Sequence, residues 1–439
     1  MYKLTNLWEG LRSSLWFVPT LIVAGAVALA VVLIEIDAAD YDWKLADRFP
    51  RLFGAGAEGS RGLLAAIAGS MITVAGTTFS ITIVALAQAS SQYTSRILRN
   101  FMSDRASQSV LGVFVGVFAY CLVVLRTIRG GDDGLFVPSL AVVGAVLLAF
   151  VAIGFLIFFI HHIAASIQAS SIIAAAAEET LAAVDRLFPD EVGDAVDPAS
   201  SAQRSEPTAT WIPIPARKTG YIQSIDADAL FDLAREVDAV VRMERGVGEF
   251  VIENAPLAAV SGVPCEEDVI EKLNDAYTVG RHRTVHQDAA YGIRQIVDVA
   301  LKALSPGIND TTTAVNCIDY LGAILARLAA RSIEAPYRAD DARLRLITRG
   351  PTFPGLLCEA FGQIRQNAQG NVAVLARLLA VMEIIAGRTS DAQRRQALDE
   401  QTKFVTEAVE RSVPCAADRA SIRAGTDRFA TSMEQSRYR

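Results

Sequence analysis

Cysteine is sparse in this chain and badly placed for pairing. There are five: Cys121, Cys265, Cys317, Cys358 and Cys415. The number is odd and no C-x-x-C occurs. That argues against a disulfide framework or a thiolate zinc site, and favours a reducing compartment for the part that holds four of them. Histidine is rarer still, with four residues in 439. His282 and His286 have helical ligand spacing with Asp288 close behind, but no third ligand is indicated. The chain also lacks a P-loop, a G-x-G-x-x-G after a strand, a G-x-S-x-G elbow and an H-E-x-x-H pair. The expectation is therefore no metal, no cofactor and no enzymatic activity. Positive charge in excess is missing as well. The net charge is −7 with no basic stripe, which argues against nucleic acid as a partner.

What the chain does have is long apolar runs. Four segments approach the length of about 20 apolar residues that a bilayer crossing requires. They are Phe17–Ile36, Gly62–Ala89, Val110–Leu125 and Phe136–Ile160. Charge divides along the same line. Residues 1–165 hold 11 of the 41 Lys+Arg and 10 of the 48 Asp+Glu, so they carry +1 and the remainder −8. Trp8 and Trp16 precede the first run, and no cleavable signal pattern is present, so that run reads as a retained span. Basic loop residues do not discriminate the orientation. The unpaired cysteines and the absence of an export signal lead to the expectation that the large domain is cytoplasmic, beneath an inner (plasma) membrane.

The second run is the most informative. Ser70, Thr73, Thr77 and Ser80 follow at steps of three, four and three, which puts them on one helix face. Extended, this stripe reaches Gln88 and Ser91. Small hydroxyls at such spacing suit the lining of a pore. They also suit tight packing between membrane helices, as do Gly69, Gly76 and the Gly112-x-x-x-Gly116 of the third run. No charged residue lies deep in any run, which argues against a proton-coupled carrier. His161 and His162 mark the exit of the fourth run, and Ala164–Leu187 reads as its helical continuation, a stalk. The two histidines are gate candidates, although anchoring at the interface is the plainer account.

The remainder reads as a stalk to residue 187, a linker at 188–210, a small β-rich module at 211–262 and a mostly helical domain at 263–439. Residues 212–262 resemble part of a barrel-sandwich module of the biotinyl and lipoyl type. A carrier role would need a lysine on a hairpin tip, and Lys218 precedes the first clear strand. In the helical part, Asp288–Leu304 is amphipathic, Gly307 ends that helix, and Asn309 or Asp310 caps the next. Leu344–Ile347 reads as an isolated strand, and Val372–Ile385 as the centre of the core. Arg281, Arg283 and Arg294 near Asn309 and Asp310 are ligand-pocket candidates, with a network of caps and salt bridges as the plainer alternative.

Two stretches carry a family pattern. One runs Ala68-Gly-Ser-Met-Ile-Thr-Val-Ala-Gly-Thr-Thr-Phe-Ser and continues to Ser90-Ser-Gln-Tyr-Thr-Ser-Arg. The other is Gly292-Ile-Arg-Gln-Ile-Val-Asp, ending in Ser305-Pro-Gly-Ile-Asn-Asp310. Both resemble the bacterial predicted membrane proteins grouped as domain of unknown function 2254. The resemblance implies a bacterial membrane protein and brings no established activity.

The fold expected is an α-helical membrane protein with four transmembrane helices and a large α+β cytoplasmic domain. The function expected first is a homo-oligomeric inner-membrane channel or pore, lined by the second span, with the cytoplasmic domain as vestibule or gate; the lipid bilayer, further copies of the chain and inorganic ions are the partners to consider. A membrane-anchored sensor or scaffold is the alternative. An enzyme acting on lipid would have to draw on Arg96, Arg99, Asp104, Arg105, His161 and His162.

Overall fold

The computed structural model describes residues 16–39, 56–92, 104–129, 136–188, 210–262, 266–331, 333, 337–340 and 343–435. The chain divides into two compact units, Met1–Ser171 and Ile172–Arg439.

The first unit contains four helices long and apolar enough to cross a membrane. They are α1 (Phe17–Ala38), α2 (Ala57–Gln92), α3 (Arg105–Thr127) and α4 (Ser139–Ser166). Each extends beyond the apolar run at one or both ends, because hydropathy marks where side chains stop being apolar and not where backbone bonding stops. Phe136 falls outside α4 and bridges to Arg129 instead. The third span is no shorter than the first: its polar opening turn, Arg105–Ser109, is helical.

Helix α3 is the hub, burying Val110, Phe114, Val117, Tyr120, Cys121 and Val124. Gly112 and Gly116 let it approach α1 closely. A Cβ at Gly112 would lie 2.8 Å from Ile22 Cδ1 and 3.0 Å from Pro19 Cα. The glycine pair is thus a packing seam between α1 and α3. At one end of the unit, the Asp37 carboxylate accepts from the Leu140 and Ala141 amides and caps α4 from a different helix. Tyr120 donates to the Ala141 carbonyl at 2.7 Å, and Arg61 donates to the Ile128 carbonyl at 2.8 Å. Asp37 and Arg61 thus satisfy helix-end groups that hydrocarbon would leave unpaired.

Helix α4 does not run on through the predicted stalk. It stops at Ser166, and α5 (Ala169–Leu187) begins after Ile167 and Gln168. Helix α5 packs within the second unit and buries Ile172, Ile173, Ala176, Ala177 and Thr180. The residues between 189 and 209, where a linker is expected, lie outside the described part.

The second unit has two sheets. Its strands are β1 (Trp211–Pro215), β2 (Gly220–Ile225), β3 (Val241–Met243), β4 (Phe250–Val251), β5 (Pro256–Ser261), β6 (Tyr277–Gly280), β7 (Tyr337–Asp340) and β8 (Arg343–Ile347). The larger sheet has the order β1-β5-β3-β8-β7, the smaller β4-β2-β6. Strand β3 pairs parallel with β8, Val241 opposite Leu346, and the other pairings are antiparallel. Leu344–Ile347 is therefore not an isolated strand. Strands from beyond residue 262 complete both sheets, which a closed barrel-sandwich would not require. Pro213 and Pro215 sit on edge strand β1, where a missing amide costs no ladder bond. Helices α6 (Ala227–Glu236) and α7 (Glu267–Asp275) contribute Leu230, Leu233 and Leu273 to one core with Ile214, Ile222, Val241, Leu257 and Leu346.

Six helices follow: α8 (Ala289–Ala303), α9 (Thr311–Ala329), α10 (Phe353–Asn367), α11 (Val372–Ala386), α12 (Ala392–Ser412) and α13 (Ala416–Gln435). Side-chain oxygens of Asp226, Asp288, Asp310, Asn371 and Asp391 accept from the amide three residues on and so start α6, α8, α9, α11 and α12. Helix α11 is central, packing on α9, α12 and α13 as its all-round apolar composition predicts.

Candidate functional site on the second membrane helix

Helix α2 has two contrasting faces. Leu64, Ala68, Met71, Ala75 and Thr78 repeat at steps of four and three and are buried against the rest of the four-helix unit. Ser70, Thr73, Thr77 and Ser80 lie on the other side and are exposed. Gly62, Gly69 and Gly76 share that open character, since a Cβ at any of them would meet nothing within 4 Å. The hydroxyl stripe is therefore not a packing seam inside its own subunit. That seam is the glycine pair of α3 against α1, and α2 buries a different face.

Three of the four hydroxyl protons are committed. Thr73 donates to the Gly69 carbonyl at 2.8 Å, Thr77 to Thr73 at 3.0 Å and Ser80 to Gly76 at 2.9 Å. A hydroxyl has one donor and two acceptor lone pairs. With the proton turned back to the helix, each oxygen presents only acceptor capacity outward. Gln88 is exposed at the end of the apolar run. Ser91 falls in the last turn of α2, and its side chain is outside the described residues.

The other site candidates are distributed. His161 is exposed on α4. His162 Nε2 lies 2.8 Å from Asp104 Oδ2. Asp104 also starts α3, accepting from the Ala106 and Ser107 amides and from Ser107 Oγ. The Ser107 hydroxyl bonds the carboxylate and not the imidazole. Arg96 and Arg99 are outside the described residues, and Arg105 is exposed.

In the second unit, each arginine candidate that is engaged has its own carboxylate. Arg283 is bidentate to Asp288, with Nε and Nη2 at 2.8 and 3.0 Å, and lies 5.1 Å from the Tyr291 ring centroid. Burial pushes the Asp288 carboxyl above its ordinary value, and the Arg283 charge and hydrogen bonds work against that rise. Arg294 binds Asp298 and Glu359. Arg281 is exposed. Asn309 has left-handed backbone, φ +50°, and Asp310 is the cap of α9. Hydrogen bonds from Thr313 hold the Asp310 carboxyl below its ordinary value. Among the described residues, no hydrogen bond or ion pair joins these arginines to Asn309 or Asp310. His282 and His286 lie in a non-helical segment, and no group of three metal-ligating side chains occurs among the described residues.

Sequence reasoning did not pair Asp104 with His162, which are 58 residues apart. The one local signal was Asp104 before Arg-Ala-Ser, an N-cap pattern that fixes the carboxylate but not its distant partner.

Comparison with known proteins gives a consistent result. A family model described as "Predicted membrane protein (DUF2254)" matches residues 12–383. The uncharacterised proteins Rv1290c of Mycobacterium tuberculosis and Mb1321c of Mycobacterium bovis are each 34% identical over 421 residues, covering 94% of this chain and 79% of theirs. No solved structure matches.

Proposed function

This chain belongs to the DUF2254 family of predicted membrane proteins, and we propose that it forms a homo-oligomeric conduit for cations across the inner membrane, without covalent chemistry. The observation that carries this reading is the outward hydroxyl face of α2. Hydroxyl oxygens whose protons are bonded to the helix carbonyls offer lone pairs to an ion or its water and repel no cation. Several copies arranged with this face toward a common axis would line a path with Ser70, Thr73, Thr77 and Ser80. The glycines at 62, 69 and 76 recur every seven residues, the period of a left-handed helix bundle. The second unit, placed in the cytoplasm, would form the vestibule or gate.

The test is ion flux through purified protein in sealed liposomes, with wild type and Thr77→Trp at matched reconstitution. The expected outcome is potassium flux in excess of chloride flux, reduced at least about tenfold by the bulky side chain. No flux over a range of ions, pH and voltage would refute the conduit and favour a membrane-anchored sensor. Thr77→Ala should also lower cation preference, because it removes an oxygen without closing the path.

A further inference from the structure

We propose that Asp104 and His162 form a proton-dependent catch that ties the start of α3 to the end of α4, where the four-helix unit hands the chain on to α5. Three observations hold the catch in place. Asp104 is fixed as the cap of α3 by the Ala106 and Ser107 amides and the Ser107 hydroxyl. The imidazole is stacked on Phe158, centroids 5.6 Å apart and planes 15° apart. The His162 carbonyl accepts from Ser166 Oγ at 2.6 Å, in the last turn before the break at Ile167–Gln168.

The pair lies near one end of α4. At 1.5 Å per residue, His162 stands about 33 Å along α4 from Leu140, just beyond a hydrocarbon core of about 30 Å. Both side chains keep about a quarter of their surface open, 29% for His162 and 26% for Asp104. Protons can therefore reach them. Among the described residues, the helices packed in this unit bring few other charges near the pair. Residues 17–34 of α1 and 62–92 of α2 carry no Asp, Glu, Lys, Arg or His. The neighbouring Arg105 and His161 are exposed. Among the described residues, Asp104 is the ionised group that meets the imidazole.

Imidazoles change charge between about pH 5 and 8. A protonated ring fixes an N–H on Nε2 and adds a full positive charge opposite the carboxylate, so a contact charged on one side becomes an ion pair. Acid therefore closes the catch and alkali loosens it. The last turn of α4 is what it restrains, and the backbone passes from there through two residues into α5. This inference stands apart from the conduction reading, because its signature is local order and not flux.

The experiment is hydrogen exchange of amides 160–168 in the full-length protein in nanodiscs of zwitterionic lipid, at about pH 5.5 and pH 8, corrected for the intrinsic pH dependence of exchange. Wild type should be protected about fivefold more strongly in acid. His162→Gln should abolish that difference. Asp104→Asn should also abolish it while keeping an oxygen to cap α3, which separates the charge from the cap. His161→Gln should retain it. Equal protection of wild type at both pH values would overturn the catch, as would a pH difference that persists in His162→Gln. Should Asp104→Asn lose structure throughout, His162→Gln still decides.

Discussion

Replacing Arg331 with Met should loosen α5 without unfolding the unit that holds it. Arg331 is 6% exposed, and its guanidinium donates to the main-chain oxygens of Asp185, at 3.2 Å, and Phe188. It also pairs with the Asp185 carboxylate at 2.8 Å. Those carbonyls lie in the last turn of α5 and just past its end, where no intrahelical donor is available. A cation at that end also complements the helix dipole. Methionine keeps the apolar stem but strands both carbonyls. At about 1.5 kcal/mol for each bond from a charged donor, the cost is about 3 kcal/mol. The neighbouring pair of Arg327 and Asp185 is bidentate but 51% and 42% exposed, so it contributes less than about 1 kcal/mol. Hydrogen exchange of residues 172–187 is the assay. Arg331→Met should accelerate exchange there about 100-fold, and Arg327→Met less than about fivefold. An Arg331→Met effect under about fivefold, or one spread equally over α9 and α11, would refute the reasoning.

Two other perturbations test the second unit. Gly248 has φ +83°, and a Cβ there would collide with Asp288 Oδ2 and approach Arg283 Nη2 to 2.8 Å. Gly248→Ala should therefore destabilise the unit by about 2 kcal/mol or more in urea unfolding, whereas Gly307→Ala, with open space around it, should cost far less. Asp310 is held below the ordinary carboxylate range by its bonds to Thr313, so its ionised form stabilises the fold at neutral pH. The advantage of wild type over Asp310→Asn should be full above about pH 5 and fade as pH falls through the lowered folded value. An advantage that grew in acid would contradict the capping geometry.

Much of this architecture is legible in the sequence because it depends on neighbours along the chain. The four spans follow from the length of apolar runs, the cap at Asp310 from its place between the Gly307 break and a helical pattern, and the core position of α11 from its all-round apolar composition. The hydroxyl stripe is likewise a matter of helical spacing. These are local quantities, fixed by backbone geometry and side-chain type.

Tertiary structure decided what each face meets. Spacing alone places Ser70, Thr73, Thr77 and Ser80 together, but only the packed unit shows that α2 buries Leu64, Ala68, Met71 and Ala75 and leaves the hydroxyls outside. Gly112 and Gly116 could have sealed any pair of helices, and they seal α3 to α1. The β8 strand finds a parallel partner more than 100 residues away, and Asp104 finds His162 across 58. The physical reason is the same in each case. Local periodicity fixes which side chains share a surface, whereas the surface they meet depends on how all the elements share one core, and no segment contains that information by itself.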